Sequence, residues 1–494
     1  ERYRIIKKET SMSLLKYHQI SQVKSEAINT SSLESLLKGF RIRSLLTRKG
    51  ISRGNGIQVI QLIYTLFLML FQNKRSISEA LKHLDQTCKK TTINDFLNNP
   101  FFKWRPLLLS VAQQFSKKYK HDEGKYNVLI IDDTSKKKTG KFVEGLSYFY
   151  DHSIHSYYKG YQVVLAAWSN LRTCIPFDIV LKTGKKRCKH SKRCDYPIES
   201  HTHKRYLESR KSKTKISIAM IGRALRYRIQ FDYLLWDSWY NCSEAYNFVF
   251  RKLLPKGIHL ISMVKQGNEL YKYGKQDLTV KELQVKAGTW TKDEKTGIKY
   301  KSIEVEIYDK TDKSSKTKSV TGKVKLCFFK FNTKGKRRVR VLLSTDTKLT
   351  ELEILERYTQ RWSIEVMIKD LKQHMGFNQS MSSKYAPQLN DMTIKCIFYI
   401  MICSLKERTP EKSIGQLIFE FGRQIEDYCI EMFVKYLMKR SFREFINEVK
   451  NKKYIQLEDL IPLYDDFIED FFSRDYIDKI VEVDVNNNKK RIVA

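Results

Sequence analysis

Two short apolar runs that each end in a carboxylate are the strongest constraint on how this chain folds. Tyr126–Ile131 runs into Asp132 and Asp133, and Phe231–Trp236 runs into Asp237. Both have the length of a buried strand. A carboxylate closing such a strand is desolvated unless an opposite charge or a metal ion compensates it. A chain that places two of them far apart in sequence is expected to bring them together.

The surrounding pattern alternates between strand and helix. Gly160–Ser169 and Thr173–Lys182 read as paired strands around a turn at Asn170, and His259–Val264 reads as a further strand. Ile216–Tyr227 reads as a helix, and Ser243 as the cap of another that runs to Leu254. Residues 1–120 read as helical, with Ile57–Phe71 a buried helix too short to span a bilayer and Ser76–Thr87 a second. The N-terminal segment is open to two readings, a small DNA-binding domain or a helical cap. Residues 265–345 interrupt the alternation with strands at 299–308, 324–331 and 337–344 and a hairpin turn at 332–336. The expected layout is α/β. A helical N-terminal domain covers 1–122, a core covers 123–264 and 346–384, a β-rich insertion covers 265–345, and a helical domain covers 385–494.

A third acidic position lies on the helix expected to open at Leu349. Tyr358, Arg361, Glu365 and Lys372 are spaced three, four and seven apart, so at about 100° per residue they share one face. An acid held among cations suits a site that handles both divalent metal and phosphate. The charge balance agrees with a polyanionic partner. Lys and Arg number 92 against 54 Asp and Glu, a formal net charge of +38. The nine cysteines are odd in number and scattered. They read as reduced thiols in a cytoplasmic, nucleoid-associated protein with no signal-peptide pattern.

Two strand carboxylates and one helical glutamate suit a two-metal phosphoryl-transfer site holding two Mg²⁺ or Mn²⁺ ions. Asp132 and Asp133 compete for the first position. Successive strand residues face opposite ways, so only one of them faces Asp237. Asp132 is favoured because it follows the apolar run directly.

With these motifs in place, the chain resembles the bacterial insertion-sequence DDE transposases that carry a Tyr-(2)-Arg-(3)-Glu-(6)-Lys signature, the insertion sequence four-like group. Tyr358, Arg361, Glu365 and Lys372 keep all three spacings, and the flank Arg361-Trp362-Ser363-Ile364-Glu365 also matches. Ile131-Asp132-Asp133-Thr134-Ser135 and Asp237-Ser238-Trp239-Tyr240 resemble the family's first two acid motifs. The resemblance covers about residues 125–380. It implies a ribonuclease H-like core and a β-rich insertion before the glutamate helix. It also implies metal-dependent cleavage at the ends of a transposon and joining to target DNA, in some members through a hairpin. Asp132 or Asp133, Asp237 and Glu365 would then be catalytic. Arg361 and Tyr358 would hold a phosphate, Lys372 would contact the backbone, and Trp290 would fill the space of a flipped base.

Other cations are candidate DNA contacts. Lys136, Lys137 and Lys138 lie beside the first acids, and Lys334, Lys336, Arg337, Arg338 and Arg340 cluster on the insertion hairpin, with Arg338 and Arg340 on one face. Within the basic segment Gly184–Lys215, Cys188–His203 is expected to be a flexible loop that contacts DNA, with Lys185, Lys186, Arg187, Lys192 and Arg193 gripping phosphates. Cys188, His190, Cys194, His201 and His203 within it are possible zinc ligands, at a spacing that fits no common finger. The expected partners are double-stranded DNA at the terminal repeats and in the target, and a second copy of the chain, with dimerisation through 385–480. The rival functions are a catalytically inactive DNA-binding protein of the same fold and a nuclease that hydrolyses without joining.

Overall fold

The computed structural model describes residues 30–71, 88–121, 125–151, 155–184, 186–309, 320–333 and 336–423. The chain divides into two units, residues 31–422 and a second that combines 1–30 with 423–494. The second lies almost wholly outside the described residues. The expected helix at Ser76–Thr87, the helical tail to residue 480, Lys185, Lys334 and the side chains of Lys336, Arg337 and Arg338 are also outside them.

The N-terminal part is helical: α1 (Thr30–Gly39), α2 (Ile42–Arg48), α3 (Val59–Phe71), α4 (Lys90–Asn98) and α5 (Trp104–Tyr119). Four strands follow, β1 (Val128–Lys137), β2 (Ser147–Asp151), β3 (Ser156–Ser169) and β4 (Cys174–Lys182). Then come α6 (His201–Ser209), α7 (Lys213–Arg226), β5 (Tyr233–Trp236), α8 (Ser243–Phe248) and β6 (His259–Val264). The β-rich stretch holds β7 (Leu270–Tyr273), β8 (Gln276–Thr279), α9 (Val280–Lys286), β9 (Thr291–Lys292), β10 (Lys299–Tyr308), β11 (Val320–Thr333) and β12 (Lys336–Ser344). Helices α10 (Glu351–Thr359), α11 (Trp362–His374) and α12 (Tyr385–Lys406) follow, and the described chain ends in helical residues 414–423.

The strands form one mixed sheet in the order β2-β3-β1-β5-β6-β12-β11-β10-β7-β8, with β4 beside β3 and β9 beside β10. β1 pairs antiparallel with β3 and parallel with β5, and β5 pairs parallel with β6. The insertion strands are joined to this sheet edge-on, because β12 pairs antiparallel with β6. Val128–Ile131, Leu234–Trp236 and Leu260–Ile261 are fully buried. Apolar runs of this kind are expected where parallel strands are covered on both faces.

Several sequence-based boundaries move. The first strand does not stop at Ile131 but runs on to Lys137, because its antiparallel partner β3 continues beside it. On the other side β5 ends at Trp236, opposite Ile131. Asp132 and Asp133 are therefore paired on one edge and open on the other. At the far end a Cβ on Gly160 would come within 2.1 Å of the Lys136 carbonyl oxygen, so the close approach of β3 to β1 requires glycine there. The basic segment 184–215 is not wholly a loop. Ser200 accepts a hydrogen bond from the His203 amide at 3.1 Å and caps α6. Ser243 lies inside α8, whose cap is Cys242. The turn at Asn170 forms as expected, its side-chain oxygen accepting from the Arg172 and Thr173 amides at 3.2 and 2.8 Å.

α12 is the central helix. It is apolar almost all round and buried from Tyr385 to Ser404 except at Asp391 and Lys395. Phe398 stacks on Phe67 of α3 at 4.3 Å, Asn390 donates to the Leu97 carbonyl of α4 at 2.8 Å, and the Tyr385 hydroxyl donates to the Leu181 carbonyl of β4 at 2.9 Å. The apolar surface expected to serve a dimer is thus, over residues 385–406, used up inside the chain. Among the described residues no helix is long and apolar enough to cross a membrane.

A buried ion network locks the helices to β4. Asp178 accepts from Arg105 of α5 at 3.0 Å and from Arg223 of α7 at 2.5 Å, and Glu208 of α6 pairs with the same two arginines at 2.6 and 2.8 Å. Burial alone would raise the Asp178 carboxyl. The Arg223 and Arg105 guanidinium groups outweigh it and hold the carboxyl below its ordinary value. Its stabilisation is present above the unfolded-state pKa and is lost as pH falls through the depressed folded value. Asp178→Ala leaves two buried arginines short of a partner and is expected to cost about 3–5 kcal/mol. Urea denaturation at neutral pH measures this, and the gap between wild type and variant should narrow in acid.

Candidate active site

Register decides which acids meet. β1 and β5 are parallel, with Ile131 beside Trp236, so the next residues lie side by side: Asp132 within β1, and Asp237 just past the end of β5. Asp237 accepts from the Ser238 amide at 2.6 Å and caps the short turn Ser238–Tyr240. That turn points Tyr240 into the core and leaves Trp239 outside, with Lys265 3.4 Å over its ring.

Asp132 and Asp133 face opposite ways. Asp133 is held by Lys213 at 2.8 Å, by Gln162 at 2.5 Å and by the Tyr240 hydroxyl at 3.4 Å. Asp132 faces α11, where the Arg361 guanidinium bridges it at 3.0 Å to Glu365 at 2.6 Å. The Asp132 carboxyl also accepts from the Asp133 amide at 2.8 Å. Burial nevertheless pushes the carboxyl up to about 6, with Arg361 and the Asp133 amide opposing the rise and Asp133 and Glu365 adding to it.

The helix that carries the third acid is not one straight rod. Thr350 caps α10 in a reciprocal capping box with Glu353, α10 ends at Thr359, and Arg361 stands at the N-cap of α11. Tyr358, Arg361, Glu365 and Lys372 are shared between two helices, yet they converge. Tyr358 lies beside Arg361, and its hydroxyl is pushed up to about 12, chiefly by burial. Lys372 donates to Thr134 on β1 at 2.5 Å, two residues past Asp132 on the same face, and burial lowers its pKa.

The expected DNA contacts divide. Lys137 is exposed. Lys138 donates to the carbonyls of Ser380 and Ser382. Lys136 is a correction: it is wholly buried, its ammonium nitrogen finds no hydrogen-bond partner, and burial lowers its pKa to about 7. Strand alternation places it on the Asp132 face, so it cannot grip a phosphate at the surface. Trp290 is held by Lys301 of β10 at 4.9 Å and Lys330 of β11 at 4.1 Å. β11 is four strands from β1, roughly 20 Å away. The structure therefore does not bring Trp290 to the acids. Arg340 is exposed over the Phe331 ring at 5.5 Å, three strands from β1.

Cys188 and Cys194 are buried free thiols, and the His190 ring meets Phe142 edge-on at 6.5 Å. Among the described residues no three His, Cys, Asp or Glu side chains gather closely enough to hold a metal. This holds for Cys188, His190, Cys194, His201 and His203, and equally for the acids as they stand, with a guanidinium between two of them. The donor chemistry still fits a hard cation. Asp132, Asp237 and Glu365 offer only oxygen, and the raised Asp132 carboxyl marks a place where positive charge is wanted. A metal would have to displace Arg361 from one or both carboxylates.

With this geometry established, comparison with known families is informative. The family described as DDE superfamily endonuclease matches residues 58–323, more than half of the 494. The chain belongs to the DDE superfamily endonucleases. Residues 317–410 are similar to a second family, described as archaeal putative transposase ISC1217. The first match contains Asp132 and Asp237, and the second contains Glu365. Enzymes of the DDE superfamily generally use divalent metals. A comparison with curated proteins finds no match.

The raised Asp132 carboxyl has a consequence for this protein's stability. A folded-state pKa above the unfolded value means stability is present below pH about 4 and lost as pH rises through about 6. Asp132→Asn is therefore expected to melt at a higher temperature than wild type at pH 7.5. The gain should shrink as the pH is lowered toward 4, which thermal denaturation across that range measures.

Proposed function

We propose that the protein is a cut-and-paste DNA transposase, cleaving at the ends of its own element and joining the freed 3′-hydroxyl to target DNA. The observation that carries this reading is the Arg361 bridge between Asp132 and Glu365, beside Asp237. The strand order β4-β3-β1-β5-β6, antiparallel and then parallel, supports a ribonuclease H-like core over 123–264 and 346–384 with 265–345 inserted. The kept spacings of Tyr358, Arg361, Glu365 and Lys372 support membership of the insertion sequence four-like group.

Asp132, Asp237 and Glu365 would hold the divalent ions, two per site. When bound, such ions neutralise charge on the scissile phosphate and favour in-line attack by an oxygen nucleophile. The chain's own residues supply the rest. Arg361, released from the carboxylates, is positioned to take a phosphate oxygen, an exchange of one anion for another around a fixed guanidinium. Tyr358 orients Arg361, and Lys372, anchored on Thr134, holds the backbone alongside. Asp133 is a positioning residue: its bonds to Lys213, Gln162 and Tyr240 fix the opposite face of β1. The positive field concentrates duplex DNA without reading sequence. Synapsis of two ends calls for a homodimer assembled on DNA. A hairpin intermediate belongs to this reading without a specific contact of its own.

The test uses a duplex carrying the element's terminal repeat, with Mg²⁺, Mn²⁺ or chelator. Wild type should cut only with metal, and Asp132→Asn, Asp237→Asn and Glu365→Gln should each lose about 10³-fold or more in rate, a size typical of removing a group that stabilises transition-state charge. Asp133→Asn should keep cleavage within about tenfold, a loss no larger than about 1.4 kcal/mol. Metal-independent cutting, or cutting that survives loss of Asp237 or Glu365, would sink the mechanism. Cleavage without joined product would leave a hydrolytic nuclease.

A further inference from the structure

The β2–β3 hairpin carries an aromatic surface that none of the chemistry above uses. Tyr148 is 60% exposed, Tyr150 40% and Tyr157 70%. Tyr148 sits opposite Lys159 and Tyr150 opposite Tyr157, so by alternation these four share one face of the ribbon. The Tyr150 and Tyr157 rings lie 5.1 Å apart. Phe149 and Tyr158 stack at 5.8 Å on the other face and stiffen the hairpin. Asp151 falls on that other face too.

A basic loop is stitched along the hairpin. Ser147 of β2 pairs with Arg187, the Cys188 amide donates to the Leu146 carbonyl at 2.9 Å, and the Gly145 amide donates to the Lys192 carbonyl at 3.0 Å. Lys186, Arg187, Lys189, Lys192 and Arg193 are all exposed, and no acid lies between residues 186 and 193. Lys159 adds a cation within the face.

The position is also informative. Register places Tyr157 and Lys159 on the β3 face that carries Leu165, the partner of Asp132. Tyr148 is opposite Lys159, six residues along β3 from Leu165, roughly 20 Å from Asp132. A duplex offers phosphates but keeps its base faces stacked inside. Exposed rings interleaved with cations are satisfied only by a strand that offers both phosphates and bare base faces.

We infer that the β2–β3 hairpin and the 186–193 loop form a platform for single-stranded DNA, taking an unpaired stretch next to the reacting phosphate. The inference rests on the reading of the acids as a DNA-cleaving site. The rings stack on successive bases, and the loop follows the backbone. No sequence preference is expected beyond that of stacking.

The test is fluorescence anisotropy with the full chain in chelator, so that cleavage plays no part. The probes are a fluorescein-labelled oligothymidylate of about twelve nucleotides, within the span such platforms cover, and a blunt duplex of equal charge. Tyr148→Ala/Tyr157→Ala should weaken oligothymidylate binding about tenfold or more, the size expected of lost stacking, with the salt slope unchanged and duplex binding kept. Tyr148→Phe/Tyr157→Phe keeps the rings and should bind like wild type, which separates stacking from hydroxyl contacts and from misfolding. Lys186→Gln/Lys189→Gln should instead reduce the oligothymidylate salt slope by about 1.4. Unchanged oligothymidylate affinity in the alanine variant, or an equal loss on the duplex, overturns the inference. So does a wild-type dimer that becomes monomeric in the alanine variant by light scattering, which would assign the face to a second copy. Metal-dependent cleavage is scored separately, so failure of the active-site reading and failure of the platform are distinct results.

Discussion

The parallel pairing of β1 with β5 is the constraint on which the rest of the site depends. It sets Ile131 beside Trp236 and so brings Asp132, still paired with β3, next to Asp237 at the end of β5, although 105 positions separate them in the chain. A shift of one residue would turn Asp132 to the opposite face and present Asp133 instead. The register is held by buried apolar pairs in β1, β5 and β6, by β3 along the other edge, and by the helices that the Asp178 network fastens to β4.

Once the strands are fixed, the chemistry is a competition for positive charge. Burial makes the Asp132 carboxylate costly, and the nearby acids add to that cost. Arg361 offsets part of it from the junction of α10 and α11, where the break between the helices lets one guanidinium reach both Asp132 and Glu365. In the proposed mechanism a divalent cation takes over this raised carboxylate, and the same arginine then becomes available to a phosphate. The arrangement holds stability in reserve for binding, as functional sites commonly do.

Much of this was legible in the residues. The carboxylates closing apolar runs, the Tyr-Arg-Glu-Lys spacing and the β-rich interruption can be read without coordinates, because strand burial and helical pitch are local properties. The length of β1 was not legible, because its last residues Thr134–Lys137 are held by a partner strand. Nor was the burial of Lys136: its lysine neighbours look like a solvated run, and only the packing of the helices over that face shows that one of the three points inward. The exposure of Tyr148, Tyr150 and Tyr157 was not legible either, because it follows from β2 being the edge strand of the sheet among the described residues.

The sequence by itself determined which residue types were available and how often they recur. It supplied three acids, a helical cluster of cations around the third, and a positive excess suited to DNA. Tertiary structure turned Asp132 toward Arg361 and Asp133 toward Lys213, joined the insertion strands to the edge of β6, and placed Trp290 away from the acids. The physical reason is the same in each case. Alternation along a strand tells which residues share a face, but the face that is covered, and by what, is set by pairing partners far away in the chain.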